Sequence, residues 1–322
     1  MPQIVVATPN PAIDITYGVP QPRLGQVHRV SSIVRRAGGK GLNVAAVLAQ
    51  LGVRSRVTGF LGGRGGAELR ELVRDWPVDQ DWVDLGPACP TRSSVAVRAD
   101  DGSVTVFNEA GPTTSAAHWD RLTEAVRQAL SPQDVLVVSG SCPPGTTSQD
   151  LAVLLGAARE RGARTVLDTS GPLLVACAGL ADVVKPNREE LAQATGTTDL
   201  AAGAKALLEN GTGGVVVSDG PGGMYLFTAS PQGGTWHADA PDVPVVNPTG
   251  AGDSAVAALA AELWRSPEAL GAQALVEAVA LSVAAVVTPV AGVVDLPTYQ
   301  RLRAQVVAQR VDTEQQPPAT LV

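Results

Sequence analysis

Val246-Asn247-Pro248-Thr249-Gly250-Ala251-Gly252-Asp253-Ser254 runs directly into Ala255-Val256-Ala257-Ala258-Leu259-Ala260-Ala261-Glu262-Leu263. Alanine and leucine are strong helix formers, whereas Pro248 and Gly250 are poor ones. The spacing therefore predicts a helix that begins between Ala251 and Ser254. The first N–H groups of a helix have no internal partners, and small residues leave them open to a ligand. The helix dipole adds partial positive charge at the same place, so the stretch reads as an anion site. Asp253 puts a carboxylate beside it. An anion hole with an adjacent base suits phosphoryl transfer to a hydroxyl: the amides stabilise charge and the carboxylate takes a proton. The plainer alternative is a first-turn acid that only complements the dipole.

The chain has 322 residues, enough for one large α/β domain. Hydrophobic residues make up 45% and aromatics 3%, so the core must be built mainly from Val, Leu and Ala. A net charge of −7 argues against a nucleic-acid protein. Cys89, Cys142 and Cys177 are far apart and odd in number, which predicts a reducing compartment with no structural disulfide or zinc site. The chain opens on Ile4-Val5-Val6-Ala7 without a basic region and long apolar run. The apolar run at 278–287 is too short to span a membrane and reads as a buried helix. A soluble cytoplasmic protein without membrane or nucleic-acid partners is expected.

Residues 3–8 form a β-branched run, read as a buried strand. The run ends at Pro9-Asn10-Pro11-Ala12-Ile13-Asp14, where Asp14 is either a turn acid or a binding group at a cleft. Residues 15–36 alternate weakly, as do Val95, Val97, Val104 and Val106 around an Asp101-Gly102 turn; both stretches read as strands. Arg35 and Arg36 read as a solvated strand face. Ala37-Gly38-Gly39-Lys40-Gly41-Leu42-Asn43 opens a second apolar helix, closed by Gly52. It is not a Walker loop, because Lys40 is followed by Gly41, and no complete G-x-G-x-x-G occurs. From about 115 onward, apolar runs at 135–138, 165–167, 183–184 and 215–217 each end in polar or glycine residues. That rhythm predicts an α/β fold with a doubly wound, mostly parallel sheet that binds ligands at its C-terminal strand ends.

Pro-Thr-Gly-Ala-Gly-Asp-Ser resembles the C-terminal signature of the ribokinase-like (PfkB) sugar kinases, and Gly-Gly-Lys-Gly-Leu-Asn-Val-Ala resembles their N-terminal one. Asn-Pro-Ala-Ile-Asp resembles the opening motif of the branch that holds 1-phosphofructokinase and tagatose-6-phosphate kinase. These likenesses run, in order, over roughly residues 3–300. They imply Asp253 as catalytic base, with Gly250, Ala251 and Gly252 as the anion hole. They imply sugar contacts from Asp14, Gly39, Lys40 and Asn43, beneath a small β-sheet lid. Thr91-Arg92 matches a lid motif, and Arg92, assisted by Arg29, is the candidate partner of a sugar's own phosphate. That motif usually continues to an asparagine, where this chain has Ser93 and Ser94.

Asn187-Arg188-Glu189-Glu190 has the spacing of the family's Asn-x-x-Glu motif, associated with magnesium and the nucleotide phosphates. The resemblance implies Lys185, Asn187, Ser218, Gly220 and Gly223 at the nucleotide and Glu190 at Mg2+. Glu189 reads as a first-turn helix acid, and that reading stays open for Glu190. Thr58 to Gly66 carries a further glycine-rich turn, read as structural.

The expected architecture is a single kinase domain over residues 1–310, with lid segments at about 15–36 and 91–107 and a mobile tail over 311–322. The expected reaction is ATP-dependent phosphorylation of a hexose phosphate, with fructose 1-phosphate first and tagatose 6-phosphate or fructose 6-phosphate beside it. ATP and Mg2+ are the implied cofactors. Many members also hold K+ on backbone carbonyls, here at 245–247 and 288–292. A small exposed lid sheet calls for pairing or cover, and the resemblance implies a homodimer joined through the lids. Two alternatives stand beside this reading: a kinase of an unphosphorylated sugar or nucleoside, and a sugar-phosphate sensor without turnover.

Overall fold

The computed structural model describes residues 3–30, 32–229, 233–266 and 270–311. The chain opens with β1 (Ile4–Thr8), β2 (Ala12–Gly18) and β3 (Ser32–Gly38). Next come α1 (Lys40–Gln50), β4 (Ser55–Leu61), α2 (Gly63–Leu72), β5 (Asp79–Asp84), β6 (Arg92–Arg98) and β7 (Val104–Asn108). The middle contains α3 (Ala116–Ala129), β8 (Val135–Ser139), α4 (Ser148–Glu160), β9 (Arg164–Asp168), α5 (Pro172–Cys177) and β10 (Val183–Val184). Then follow α6 (Arg188–Thr195), α7 (Leu200–Glu209), β11 (Gly214–Ser218), β12 (Met224–Thr228) and β13 (Thr235–Ala238). The last elements are α8 (Ala251–Arg265), α9 (Ala272–Val286), α10 (Leu296–Arg303) and β14 (Gln309–Val311).

The large sheet has the order β14-β13-β12-β11-β10-β9-β8-β1-β4-β5. Strands from β5 to β11 pair in parallel, and β12, β13 and β14 add antiparallel edge pairings. The fold is α/β with a mostly parallel sheet, as expected. From β1 the chain steps to β4 and β5 on one side, and later to β8 and β9 on the other. Such a reversal opens a crevice at the C-terminal strand ends. Both faces of β1 are buried: Ile4 and Val6 pack with α1 and α8, while Val5 and Ala7 join the opposite core layer with Leu122 and Leu154. Continuous apolar runs are what a parallel strand covered on both faces requires.

The second sheet is the small lid, ordered β3-β2-β6-β7. β2 pairs antiparallel with β3 and parallel with β6; β6 pairs antiparallel with β7. Asp14 lies opposite Ser94, which lies opposite Asn108, so these three share one face.

Three details differ from the sequence reading. Asp14 lies inside β2, not in a turn, because strand pairing resumes at Ala12 directly after the two prolines. Within 15–36, residues 19–30 carry no strand, and Leu24 and Val27 are fully exposed. Val311, placed in the tail, pairs with Thr235 as the end of the sheet; residues 312–322 lie outside the described residues. The run at 278–287 is helical in α9 through Val286 and buried through Ala285, close to expectation. No described helix is long and apolar enough to cross a membrane.

Candidate active site

The ends of β1, β8, β9 and β11 bring Thr8, Ser139, Asp168 and Ser218 to one edge of the sheet, and Lys185 follows β10. α1 and α8 both start there. Two adjoining cavities open between this edge and the lid, of about 480 and 450 Å3. The first is lined by Asp14, Asn43, Lys185, Ser218, Gly250 and Asp253. The second reaches past Thr8, Asn10, Glu109, Ser141 and Thr169. Lys40 and Arg92 border both. Together they have the size of a small-molecule site.

α8 begins as its sequence predicts. Gly250 is left-handed, with φ 89°, and a Cβ there would meet Ala291 at 3.0 Å, so only glycine fits comfortably. Ala251 N–H reaches Pro248 O at 3.4 Å, and Ser254 N–H donates to Gly250 O at 2.9 Å. Among the described residues, the N–H groups of Gly250, Gly252 and Asp253 have no hydrogen-bond partner. Ala251 is therefore the least available of the three expected donors, and the Asp253 amide is one that sequence reasoning omitted. Lys185 is buried, and its ammonium would be 3.4 Å from a Cβ at Gly252, which places a cation against the helix start.

Asp253 is buried and accepts a hydrogen bond from Asn43 Nδ2 at 2.7 Å. Burial, seconded by the Asp168 carboxylate, pushes the Asp253 carboxyl up to about 6; Asn43, Lys40 and Lys185 pull it back down. Lys40 Nζ lies 3.3 Å from both Asp168 Oδ1 and Glu190 Oε1. Burial works against its charge, but Asp168, Glu190 and Asp253 outweigh that and keep it protonated far above the usual range. Glu190 also caps α6: its Oε2 accepts from Asn187 N–H at 2.9 Å, while Asn187 Oδ1 accepts from Glu190 N–H at 2.7 Å. The first-turn reading thus describes part of what Glu190 does, and its Oε1 remains turned toward Lys40.

On the lid side, burial pushes Asp14 up to about 6, against the attraction of Arg92 and Arg36. A Cβ at Gly38 would fall 2.0 Å from the Asp14 carboxyl carbon, so the neighbouring strand must be bare at that point. Arg92 Nε donates to Asn10 O at 3.1 Å and its Nη1 to Glu109 O at 3.3 Å. Ser94 Oγ donates to Asn108 Oδ1 at 2.8 Å, so the neighbouring strand β7 sets an asparagine beside the position where the Thr-Arg motif lacks one. Cys142 lines the second cavity, but burial pushes its thiol up to about 12, which keeps it protonated and unreactive.

A dipole-assisted amide pocket, a buried carboxylate with a raised proton affinity and two flanking lysines can together move a phosphoryl group onto a hydroxyl. The profile of the pfkB family of carbohydrate kinases matches residues 7–298. The chain belongs to that family. The family's reaction is phosphoryl transfer from ATP to a sugar hydroxyl.

Solved structures agree with the fold. Phosphofructokinase-2 from Escherichia coli, in complex with fructose-6-phosphate, is 28% identical; the match covers 95% of this chain and 99% of that one, with a TM-score of 0.85. The same enzyme with potassium gives 0.87. Arabidopsis thaliana ribokinase, complexed with ribose and ATP, is 23% identical over 94% of this chain and 99% of its own, with a TM-score of 0.75.

The structure gathers most of the residues singled out from sequence. Asp14, Gly39, Lys40, Asn43, Arg92, Lys185, Asn187, Glu190, Ser218, Gly250, Gly252 and Asp253 all border the cavities. Arg29 does not: it is exposed on the irregular stretch between β2 and β3 and borders neither cavity. Gly220 and Gly223 also stand away from them, in the turn between β11 and β12. The sequence reading missed Asp168, which is almost fully buried between Ser139 Oγ and Lys40 Nζ. Its place at the end of a predicted strand was the available signal. It also missed Asn10, quoted without a role, and Glu109.

Proposed function

We propose that this kinase transfers the terminal phosphoryl group of ATP to a hydroxyl of a hexose monophosphate, with fructose 1-phosphate as the first substrate to test. Fructose 6-phosphate and tagatose 6-phosphate belong to the same class. The observation that carries this reading is the cavity pair bordered by Lys40 and Arg92. The acceptor hydroxyl lies at Asp253, and the rest of the sugar extends into the second cavity, where cations can meet a second anion.

In this reading Asn43 fixes one oxygen of Asp253, leaving Oδ1 to take the hydroxyl proton. The amides at the start of α8, with Lys185, stabilise charge on the transferring group. Asp14 accepts sugar hydroxyls from the lid. Lys185, Asn187 and Ser218 line the phosphate end of the nucleotide site. Among the described residues no three acidic, histidine or cysteine side chains are arranged to hold a metal ion. Mg2+ that arrives on ATP needs no such cage, since one or two carboxylates and water complete its shell. Glu190, through Oε1, is the residue that would hold it, and the ion would neutralise phosphate charge when bound.

Segments 245–247 and 288–292 contact each other: Asn247 Nδ2 donates to Pro289 O at 3.1 Å. We place the proposed K+ site on their carbonyls, and activity that is equal in potassium, sodium and a bulky organic cation would remove it. A homodimer through the lid completes the proposal, supported by the exposed lid valines; the E. coli phosphofructokinase-2 has a tetrameric inhibited form.

One observation favours a second reading. Arg92 already bonds two backbone carbonyls, and the carboxylates of Asp14 and Glu109 offset its charge. A site so balanced also suits an unphosphorylated sugar. ADP release measured over sugars and sugar phosphates separates the two: the phosphosugar reading predicts higher kcat/KM for the phosphates, and preference for free sugars would overturn it.

A further inference from the structure

Two residues that border neither cavity stand next to two that do. Arg188 follows Asn187 at the start of α6, and Asp219 follows Ser218 at the end of β11. Their side chains form a bidentate pair. Arg188 Nε donates to Asp219 Oδ1, and Arg188 Nη2 donates to Asp219 Oδ2 at 2.6 Å. Both side chains are largely withdrawn from solvent, with exposures of 30% and 22%. A guanidinium fork on a carboxylate fixes direction as well as distance.

The pair spans a seam where two chain segments are about to part. Asn187 and Ser218 form an isolated parallel bridge, and Ser218 N–H donates to Pro186 O at 3.2 Å. Beyond that bridge one segment becomes α6 and the other turns back into β12. Lys185 sits just before the seam, with its Nζ 3.4 Å from Ser218 Oγ. A single short bridge therefore sets the spacing of side chains that border the cavity.

Both partners of the ion pair stand on firm supports. The reciprocal cap between Asn187 and Glu190 fixes the start of α6. Asp219 is held by the turn: its N–H donates to Gly223 O, and its carbonyl accepts from Gly222 N–H, both at 2.9 Å. The backbones that carry the two residues are thus held, and their side-chain contact ties one segment to the other.

We propose that the Arg188–Asp219 pair is a positioning clamp for the phosphate chain of the nucleotide, holding Asn187 and Ser218 at a fixed spacing beside Lys185. This rests on the reading of Lys185, Asn187 and Ser218 as the phosphate end of the nucleotide site. It concerns the nucleotide end of the cavity, because the pair adjoins Asn187 and Ser218, whereas Asp14 and Arg92 enter from the lid.

The test compares wild type, Asp219→Asn and the swapped double variant Arg188→Asp with Asp219→Arg. Steady-state kinetics, ADP binding by calorimetry and melting temperature are measured on each. Asp219→Asn is expected to raise KM for ATP and Kd for ADP roughly tenfold, the scale of a lost charge-assisted contact. KM for the acceptor and kcat should stay within about twofold, and the swap should recover part of the nucleotide affinity. Should Asp219→Asn fail to fold, Arg188→Lys, which keeps the charge and loses the fork, carries the same comparison. Unchanged ATP KM and ADP Kd would overturn the clamp. So would a loss spread equally over kcat, acceptor KM and melting temperature, the pattern of a fold support. Wild type that binds no nucleotide would instead remove the kinase reading on which the clamp rests.

Discussion

Asn43 Nδ2 donates to Asp253 Oδ2 at 2.7 Å, a bond between the first turns of two helices whose partners are 210 residues apart in sequence. Asp253 Oδ1 has no hydrogen-bond partner among the described residues, and Asp253 borders the first cavity. One oxygen is thus held and the other left for a substrate proton, the arrangement a general base needs.

That arrangement sets the pH dependence. Asp253, pushed up to about 6, must be ionised to accept a proton. The kcat of wild type should therefore fall as pH drops through about 6. Asp14 is pushed up to about 6 as well, so Asp14→Asn is the control. The acid limb should persist in Asp14→Asn, with reduced sugar affinity; its disappearance in that variant would assign the limb to Asp14.

Burial of an ionised Asp253 also has a stability consequence. Above pH 6 the folded state carries the cost of an ionised carboxylate that burial and Asp168 disfavour. As pH falls through 6 toward the unfolded value near 3.8, protonation relieves that cost. Asp253→Asn should therefore be more stable than wild type at pH 7.5, by roughly 1–3 kcal/mol. The gain should shrink steadily toward pH 5. Denaturant melts at both pH values check this, and a variant less stable than wild type at pH 7.5 would contradict it.

Arg92→Ala should raise KM for the hexose phosphate strongly and leave KM for ATP nearly unchanged. A charge-assisted contact corresponds to roughly 10- to 150-fold in kcat/KM. Arg92→Lys should recover only part of this, because a point charge replaces a fork. An acceptor KM unmoved in Arg92→Ala would favour the unphosphorylated-sugar reading.

The glycine-rich helix starts were legible in the sequence because the backbone geometry at Gly250 demands a particular residue, and such demands leave a local trace. Asp168 was not legible as a site residue. Its neighbours Ser139 and Lys40 come from other strands and helices, so nothing near it in sequence marks it. Arg29 stands apart for the opposite reason: its charge and its place beside a strand pattern singled it out, but residues 19–30 leave the lid sheet and Arg29 borders neither cavity. The antiparallel strands β12 to β14 were also missed. Met224–Thr228 is a short apolar run, whose periodicity does not reveal strand direction.

The lid presents an apolar row on the same face as Asp14. Val34 lies opposite Thr16, which lies opposite Ala96, which lies opposite Val106. Val34 and Val106 are about half exposed, at 49% and 50%. Covering this row with a second copy's lid would also close the cavity mouth. Sedimentation should show a dimer at micromolar concentration, and Val34→Asp should shift it to monomer with a raised acceptor KM. A wild type that stays monomeric would remove the lid dimer.

The most direct measurement is ADP release by Asp253→Asn beside wild type, with ATP and fructose 1-phosphate both saturating. A positioned base predicts a kcat lower by about 10²-fold or more, with both KM values largely kept. Near-normal kcat in Asp253→Asn would contradict the central claim, because the hydroxyl proton would then be leaving by another route.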